Sequence, residues 1–233
     1  MVLRSALFVL AQMLVTPRYA LFALCTFALP RMTRYRLISG WSWLMIRLAR
    51  AILGIEWRVE GREHLPSRPA VILSKHQSAW ETMAFTLIFP PQVHVLKREL
   101  LWIPFFGWGL ALMSPIAINR SRGMRSLRTI ARRGRERLAQ GFWVVVFPEG
   151  TRVAPGVQRE YHPGGAWLAC AAGTLVVPVA HNAGLLWPRN AFLKRPGTVT
   201  VRIGPPIDAT NGDPKAINEL ARKWIEEQQK ALT

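Results

Sequence analysis

The chain has 233 residues, enough for one sizeable α/β domain or for one domain with an appendage. Its formal charge is +18, so we expect an anionic partner such as nucleic acid, an acidic membrane surface or a phosphorylated small molecule. Half of the residues are apolar, and ten tryptophans and ten phenylalanines favour a membrane interface. Cys25 and Cys170 lack metal-ligand spacing and a disulfide framework, which favours a reducing compartment.

The N-terminal segment contains two apolar runs, residues 6–16 and 19–29, separated by Pro17-Arg18. Proline predicts that the first helix ends or turns sharply there. Each run is too short to span a bilayer, which takes about 20 residues. We therefore expect a helical hairpin that dips into one leaflet. A signal peptide is disfavoured because no clear small-x-small cleavage site follows the first run.

Residues 37–50 mix tryptophan, aliphatic residues and arginine. This composition suits a helix that lies on a membrane surface, and it equally suits a helix packed on the domain core with solvated arginines. No internal repeat or low-complexity linker is present. The sequence predicts membrane-anchoring helices over residues 1–60 and an α/β domain over residues 61–233.

The centre of the sequence is a buried strand, residues 70–73, that ends in polar residues including His76 and Glu81. At a spacing of five, the two side chains meet only if His76 lies on a loop and Glu81 in the first helical turn. Ser78 and Glu81 fit a capping box, with Ser78 as N-cap. Two interpretations stay open at this point, a catalytic pair and an ordinary helix cap.

The next apolar segment, residues 101–108, contains Pro and Gly and predicts neither a regular helix nor a strand. Its aromatic residues either line an acyl-chain pocket or contact lipid, or the segment simply covers the core. These residues are Trp102, Phe105, Phe106 and Trp108.

Two further predicted strands, 116–118 and 142–147, also end in polar residues, Arg120 after the first and residues 148–152 after the second. An arginine at a strand's carboxyl end lies where α/β sheets bind ligands. After the second strand, Gly150 permits close backbone approach, Thr151 offers a hydroxyl and Arg152 a bidentate group for phosphate. The alternative is a surface turn with a Glu149–Arg152 ion pair. Between the two strands, most arginines of residues 120–137 form the outer face of an amphipathic helix.

These three strand-end clusters, His76-Gln77-Ser78-Ala79-Trp80-Glu81, Ile118-Asn119-Arg120 and Phe147-Pro148-Glu149-Gly150-Thr151-Arg152, resemble the glycerolipid acyltransferase family. The similarity is closest to the bacterial 1-acyl-sn-glycerol-3-phosphate acyltransferases and covers roughly residues 72 to 180. The chain departs from the family in Glu81, where aspartate is usual, and in Lys75 and Ala79, where many relatives have asparagine and tryptophan.

The resemblance implies an α/β fold with a mostly parallel sheet flanked by helices and an N-terminal membrane-associated helical hairpin. The implied reaction transfers a fatty acyl group from a thioester to the 2-hydroxyl of lysophosphatidic acid. His76 would be the general base and Glu81 would orient its ring. The phosphate would be bound by Arg120 and Arg152 with the backbone of Gly150 and Thr151, while Glu149 would orient Arg152 or bond the glycerol.

No cofactor is implied, because acyl-CoA or acyl carrier protein is a substrate. None of the five histidines has close metal-ligand spacing, so no metal site is predicted. The expected location is the cytoplasmic face of the inner membrane, monotopic or N-terminally anchored, on a surface with anionic lipids. Two alternatives remain. One is acyl transfer to another lysolipid; the other is a non-catalytic basic module for membranes or nucleic acid, although no nucleic-acid motif is recognisable.

Overall fold

The computed structural model describes residues 1–232, except that the side chain of Arg120 lies outside the described part. The helices are α1 (Val2–Leu24), α2 (Arg31–Leu48), α3 (Trp80–Ile88), α4 (Phe106–Leu112), α5 (Met124–Ala139), α6 (Gly164–Ala172), α7 (Ala183–Leu186) and α8 (Pro214–Lys230). The strands are β1 (Ile55–Glu60), β2 (Val71–Ser74), β3 (Gln92–Lys97), β4 (Ile116–Ile118), β5 (Trp143–Val146), β6 (Leu175–His181), β7 (Gly197–Ile203) and β8 (Ile207–Asp208).

The strands form one sheet in the order β1-β7-β6-β2-β5-β3-β4, with β8 paired to β6. The pairs from β6 through β2, β5 and β3 to β4 are parallel, as is β1 with β7, while β6 pairs antiparallel with β7 and β8. The predicted mostly parallel α/β sheet is therefore confirmed. Because β2 and β5 are parallel neighbours, with Leu73 opposite Val146, the segments that follow them meet at one edge of the sheet.

Alternate residues of the central strands face two separate cores. Ile72 and Val145 pack in one core with residues of α1, α2 and α3. Leu73 and Val146 pack in the other with residues of α5, α6 and α8. Strand residues buried on both faces explain why β2 and β5 read as continuous β-branched and apolar runs rather than as alternating ones.

The predicted break at Pro17 is wrong, because α1 is one helix of 23 residues that continues through the proline. A proline inside a helix costs about 3 kcal/mol, so tertiary contacts must offset it. They lie on both sides of Pro17: Trp41 donates to the Thr16 hydroxyl at 3.2 Å, and the Tyr19 hydroxyl donates to the Leu37 carbonyl at 2.7 Å. The hairpin therefore consists of α1 and α2 rather than of residues 6–16 and 19–29.

The two interpretations of residues 37–50 are resolved in favour of packing on the core. In α2, Ile38, Met45 and Ile46 are buried.

The segment 101–108 was expected to form neither a regular helix nor a strand. The structure differs from this expectation, because α4 begins at Phe106. The domain boundary between residues 60 and 61 stays a prediction; β1 precedes it and pairs with β7 over its whole length.

Candidate active site

The loop between β2 and α3 brings His76 and Glu81 into direct contact. His76 Nδ1 lies 2.8 Å from Glu81 Oε1, which also accepts the backbone N–H groups of Gln77 at 2.9 Å and Ser78 at 2.8 Å. The Ser78 hydroxyl accepts the Trp80 N–H at 3.1 Å. The prediction of Ser78 as N-cap is wrong by one residue, because α3 begins at Trp80 and Ala79 is its N-cap. The two interpretations of this stretch are thus compatible, since one carboxylate oxygen holds the loop amides and the imidazole.

Glu81 remains ionised in this setting although it is fully buried. Burial raises the pKa of Glu81, but the nearby His181, the bond from His76 and the Ser78 N–H outweigh it, so its pKa lies below the ordinary value. An ionised carboxylate accepts a hydrogen bond from Nδ1–H and leaves Nε2 of a neutral imidazole free to accept a proton. Nε2 forms no hydrogen bond with the described side chains, and the ring borders a cavity.

The imidazole is also fixed by an aromatic ring. Phe147, the residue after β5, stacks on His76 with ring centroids 4.0 Å apart and planes 16° apart. His94 of β3 lies 6.0 Å from the same phenylalanine in a nearly parallel plane. The His76 ring is therefore held in orientation by Glu81 at its edge and by Phe147 at its face.

A cavity of about 320 Å³ opens at His76 and extends between the α1–α2 hairpin, α3, β3 and α4. Most of its wall is apolar or aromatic, including Tyr19, Trp41 and Met83. Among the described side chains, the cations in its wall are Lys97, at the end of β3, and Arg152. Such a cavity can hold an apolar chain with an anionic group at one end, close to the base.

The structure places the predicted aromatic residues in two groups. Phe105 and Phe106 line the cavity, whereas Trp102 and Trp108 do not; Trp102 is 70% exposed and Trp108 is 40% exposed. Trp108 packs on Phe105, with ring centroids 4.9 Å apart. The first pair fits the predicted acyl-chain contact and the second pair fits the predicted lipid contact.

The predicted phosphate-binding residues are also divided. Arg152 lines the large cavity, while Gly150 lines a second cavity of about 240 Å³ that shares Phe147 with the first. Gly150 has φ of +67°, a left-handed conformation that favours glycine. Thr151 is half-buried and lines neither cavity. The Arg120 side chain lies outside the described part of the structure.

Glu149 does not pair with Arg152, so the predicted surface ion pair is wrong. Its side chain is buried and directed into the protein, where Oε1 lies 2.7 Å from Lys75 Nζ and Oε2 accepts the His76 backbone N–H at 2.9 Å. The sequence analysis did not predict a structural role for Lys75, because a lysine in a loop is usually exposed. The one available signal was that Lys75 occupies a position where many relatives have asparagine.

His94 was likewise missed, because one histidine in a strand of apolar residues carries no spacing signal. Its Nε2 is buried without a hydrogen-bond partner among the described residues. Burial lowers the pKa of His94 to about 4, with His76 adding to the effect and Glu81 opposing it. The side chain is therefore neutral at pH 7.

We expect His94 to make the protein less stable in mild acid. Between pH 6.5 and 4 the unfolded chain binds a proton on this residue that the folded chain does not, so stability falls as pH falls. At pH 5 the loss is about 2 kcal/mol. Thermal unfolding in detergent at pH 7 and pH 5 should show a smaller decrease in His94→Leu than in the wild type. Equal decreases would contradict the prediction.

Comparisons with known proteins identify the family of the chain. Residues 56–182 match the family model described as Acyltransferase. The chain is 48% identical to the 1-acyl-sn-glycerol-3-phosphate acyltransferase of Pseudomonas aeruginosa, with 85% of this chain and 79% of that protein covered. It is 30% identical to the Saccharomyces cerevisiae protein of the same name, with 78% of this chain and 63% of that protein covered.

The fold is also found in a solved structure. The crystal structure of the 1-acyl-sn-glycerophosphate (LPA) acyltransferase from Thermotoga maritima superposes with a TM-score of 0.77, covering 97% of this chain and 95% of that chain at 22% sequence identity. In this chain the half-buried His76 pairs with the buried Glu81 beside an apolar cavity at the edge of the α/β sheet. The chain belongs to the acyltransferase family.

Proposed function

We propose that the chain transfers a fatty acyl group from a thioester to the 2-hydroxyl of lysophosphatidic acid and so forms phosphatidic acid for phospholipid synthesis. The observation that carries this proposal is the position of the His76–Glu81 pair at an apolar cavity whose wall also holds Arg152 and Lys97. The names of the relatives from Pseudomonas aeruginosa and Saccharomyces cerevisiae support the same substrate.

In the proposed reaction, His76 Nε2 takes the proton of the acceptor hydroxyl while that oxygen attacks the thioester carbonyl carbon. The carbon–sulfur bond then breaks, and the imidazolium returns the proton to the departing thiolate. Glu81 holds Nδ1–H and stabilises the imidazolium in between. A thiol with a pKa near ~8.5 leaves readily, so the reaction demands no second acid.

The cations of the cavity wall are suited to the acceptor's phosphate. Arg152 can form two parallel hydrogen bonds with phosphate oxygens, and Lys97 supplies a second positive charge. Gly150, Thr151 and Arg120 remain candidates for further phosphate contacts. Glu149 is better suited to supporting the His76 loop than to facing an anion, since its carboxylate bonds the His76 amide.

The apolar part of the cavity is proposed to take an acyl chain, and its wall includes residues of the N-terminal helix. By length and composition α1 can cross a membrane. We propose instead that it lies in one leaflet, because its contacts with the domain run along its length. Phe8 packs on Trp187 with ring centroids 5.1 Å apart, the Ser5 hydroxyl accepts the Lys194 N–H at 3.1 Å, and Thr16 bonds Trp41.

The opposite face of α1 is exposed and apolar, as a membrane-embedded surface requires. Its exposed large apolar side chains are Val2, Leu3, Leu7, Leu10, Met13, Leu14, Leu21, Phe22 and Leu24. Together with the excess of arginine, this face supports attachment to a membrane with anionic lipids, on the cytoplasmic side. The acyl donor is proposed to be acyl-CoA or acyl carrier protein, without a cofactor.

The proposal predicts that the acceptor's phosphate decides activity. Purified protein in detergent should release thiol from palmitoyl-CoA when lysophosphatidic acid is added, and at least about 100-fold more slowly with 1-monoacylglycerol, because that acceptor lacks the phosphate that Arg152 and Lys97 would bind. Initial rates of thiol release, with phosphatidic acid identified by mass spectrometry, check this. Equal rates with the two acceptors would contradict the proposed phosphate site. Transfer to neither acceptor would contradict the proposed function.

A further inference from the structure

We infer that the C-terminal helix α8 positions the catalytic loop, because two of its residues hold the two residues on either side of His76. The residues of α8 are Glu226 and Gln229, and their partners are Lys75 and Gln77. The inference rests on the proposed function, since it takes His76 as the general base.

The first bridge is an ion-pair cluster beneath the loop. Lys75 is 1% exposed, and its Nζ lies 2.8 Å from Glu226 Oε1 and 2.7 Å from Glu149 Oε1. The Tyr161 hydroxyl donates to Glu226 Oε1 at 2.9 Å. Burial and the two carboxylates raise the pKa of Tyr161, so this hydroxyl stays a donor. The cluster therefore brings one buried cation between two buried anions, which fixes the direction of the Lys75 side chain.

The second bridge lies on the other side of the histidine. Gln77 Nε2 donates to Gln229 Oε1 at 2.8 Å, and Gln77 Oε1 accepts the Gly184 N–H at 3.2 Å. Gln229 Nε2 in turn donates to the His181 carbonyl at 2.9 Å. Glu226 and Gln229 are three residues apart, so they share one face of α8. One helix face thus holds the loop on both sides of the base.

The backbone of the loop is held by the same surroundings. Glu149, which Lys75 anchors, accepts the His76 N–H, and the His76 carbonyl accepts the Val153 N–H at 2.7 Å. His181 Nε2 lies 2.9 Å from the Lys75 carbonyl and serves as its donor. Burial lowers the pKa of His181, which keeps the ring neutral. With the backbone bonded in this way, a change in the Lys75 cluster moves the His76 ring itself.

The α8 residues act at a distance from the reacting atoms. Neither Glu226 nor Gln229 lines the cavity, so they are positioning residues and not substrate-binding ones. A displacement of about 1 Å at a catalytic group can lower the rate about 100-fold. We therefore expect a change at this helix face to lower kcat and leave the KM values for both substrates unaltered.

The test compares Glu226→Gln, Gln229→Leu and the double variant with Glu227→Gln, which makes the same charge change at the adjacent, exposed position. Glu226→Gln leaves Lys75 paired with Glu149, so the cluster keeps one cation and one anion. We expect kcat to fall about tenfold in each single variant and about 100-fold in the double variant, with KM within twofold of the wild type. Glu227→Gln should match the wild type.

A second readout does not depend on turnover. In protein labelled with ¹⁵N-histidine, the His76 Nδ1–H signal, which reports the bond to Glu81, should shift or broaden in the Glu226 and Gln229 variants and stay unchanged in Glu227→Gln. If the wild type is active and the variants keep its kcat and this signal, the inference is overturned. It is also overturned if kcat falls only in proportion to the folded fraction. An inactive wild type with the expected signal changes would remove the proposed function and leave the positioning role.

Discussion

His76→Ala is expected to lower kcat for acyl transfer by about 10³-fold or more. The variant removes the group that takes the proton of the attacking hydroxyl, and general-base catalysis contributes about 10² to 10⁴-fold. The KM values should change little, because the cavity wall and its two cations remain in place. Initial rates with palmitoyl-CoA and lysophosphatidic acid, measured over a range of enzyme concentrations, check this result.

A matched control for this variant is His64→Ala. His64 lies on the turn after β1, contacts the Ile203 carbonyl at 2.8 Å and lines neither cavity, so its removal should leave kcat within about twofold of the wild type. The assignment of His76 as the base would be wrong if His76→Ala kept more than a tenth of the wild-type kcat while remaining folded.

Glu81→Gln is expected to lower kcat by about 10² to 10³-fold. The amide loses the negative charge that stabilises the imidazolium, and if its NH₂ group faces Nδ1 the ring is driven into the wrong tautomer. A comparable change at a carboxylate that orients a histidine costs about 10⁴-fold in serine proteases. The loss should be smaller here because a thiolate leaves without much acid assistance. Single-turnover measurements separate this effect on chemistry from any effect on product release.

Glu81→Asp tests the same carboxylate in a second way. Aspartate at this position is the residue that the family's first motif usually contains, and in the first turn of α3 it can still accept the Gln77 and Ser78 amides. We expect it to keep kcat within about tenfold of the wild type, far above Glu81→Gln. Equal losses in both variants would show that the reaction needs the length of Glu81 as well as its charge, and would contradict this expectation.

The sheet and the contact between His76 and Glu81 could be predicted because their signals are local. Continuous apolar strands such as β2 and β5 end in polar residues, and a parallel sheet brings those ends together at one edge. The contact between His76 and Glu81 followed from the requirement that a loop separate them, since no continuous helix allows it. These inferences need only the neighbouring residues and the geometry of regular elements.

The remaining features depend on distant contacts that no local pattern contains. Pro17 is tolerated inside α1 because side chains of α2 hold the helix on both sides of it. The direction of the Glu149 side chain is set by Lys75, which lies 74 positions earlier in the chain. The sequence pattern predicts that Glu226 lies on the polar face of an amphipathic helix. Its burial against Lys75 depends on the tertiary fold, which the local pattern does not contain.

The shared wall of the large cavity links the proposed membrane attachment to the proposed selection of the acyl chain. Gln12, Thr16, Tyr19, Ala20 and Ala23 of α1 line the space proposed for the acyl chain, while other residues of the same helix face outward. Removing this helix to obtain a water-soluble form would therefore also open the compartment for the fatty tail. Substitutions on its inner side, by contrast, offer a way to redesign which tails fit without loosening the enzyme from lipid.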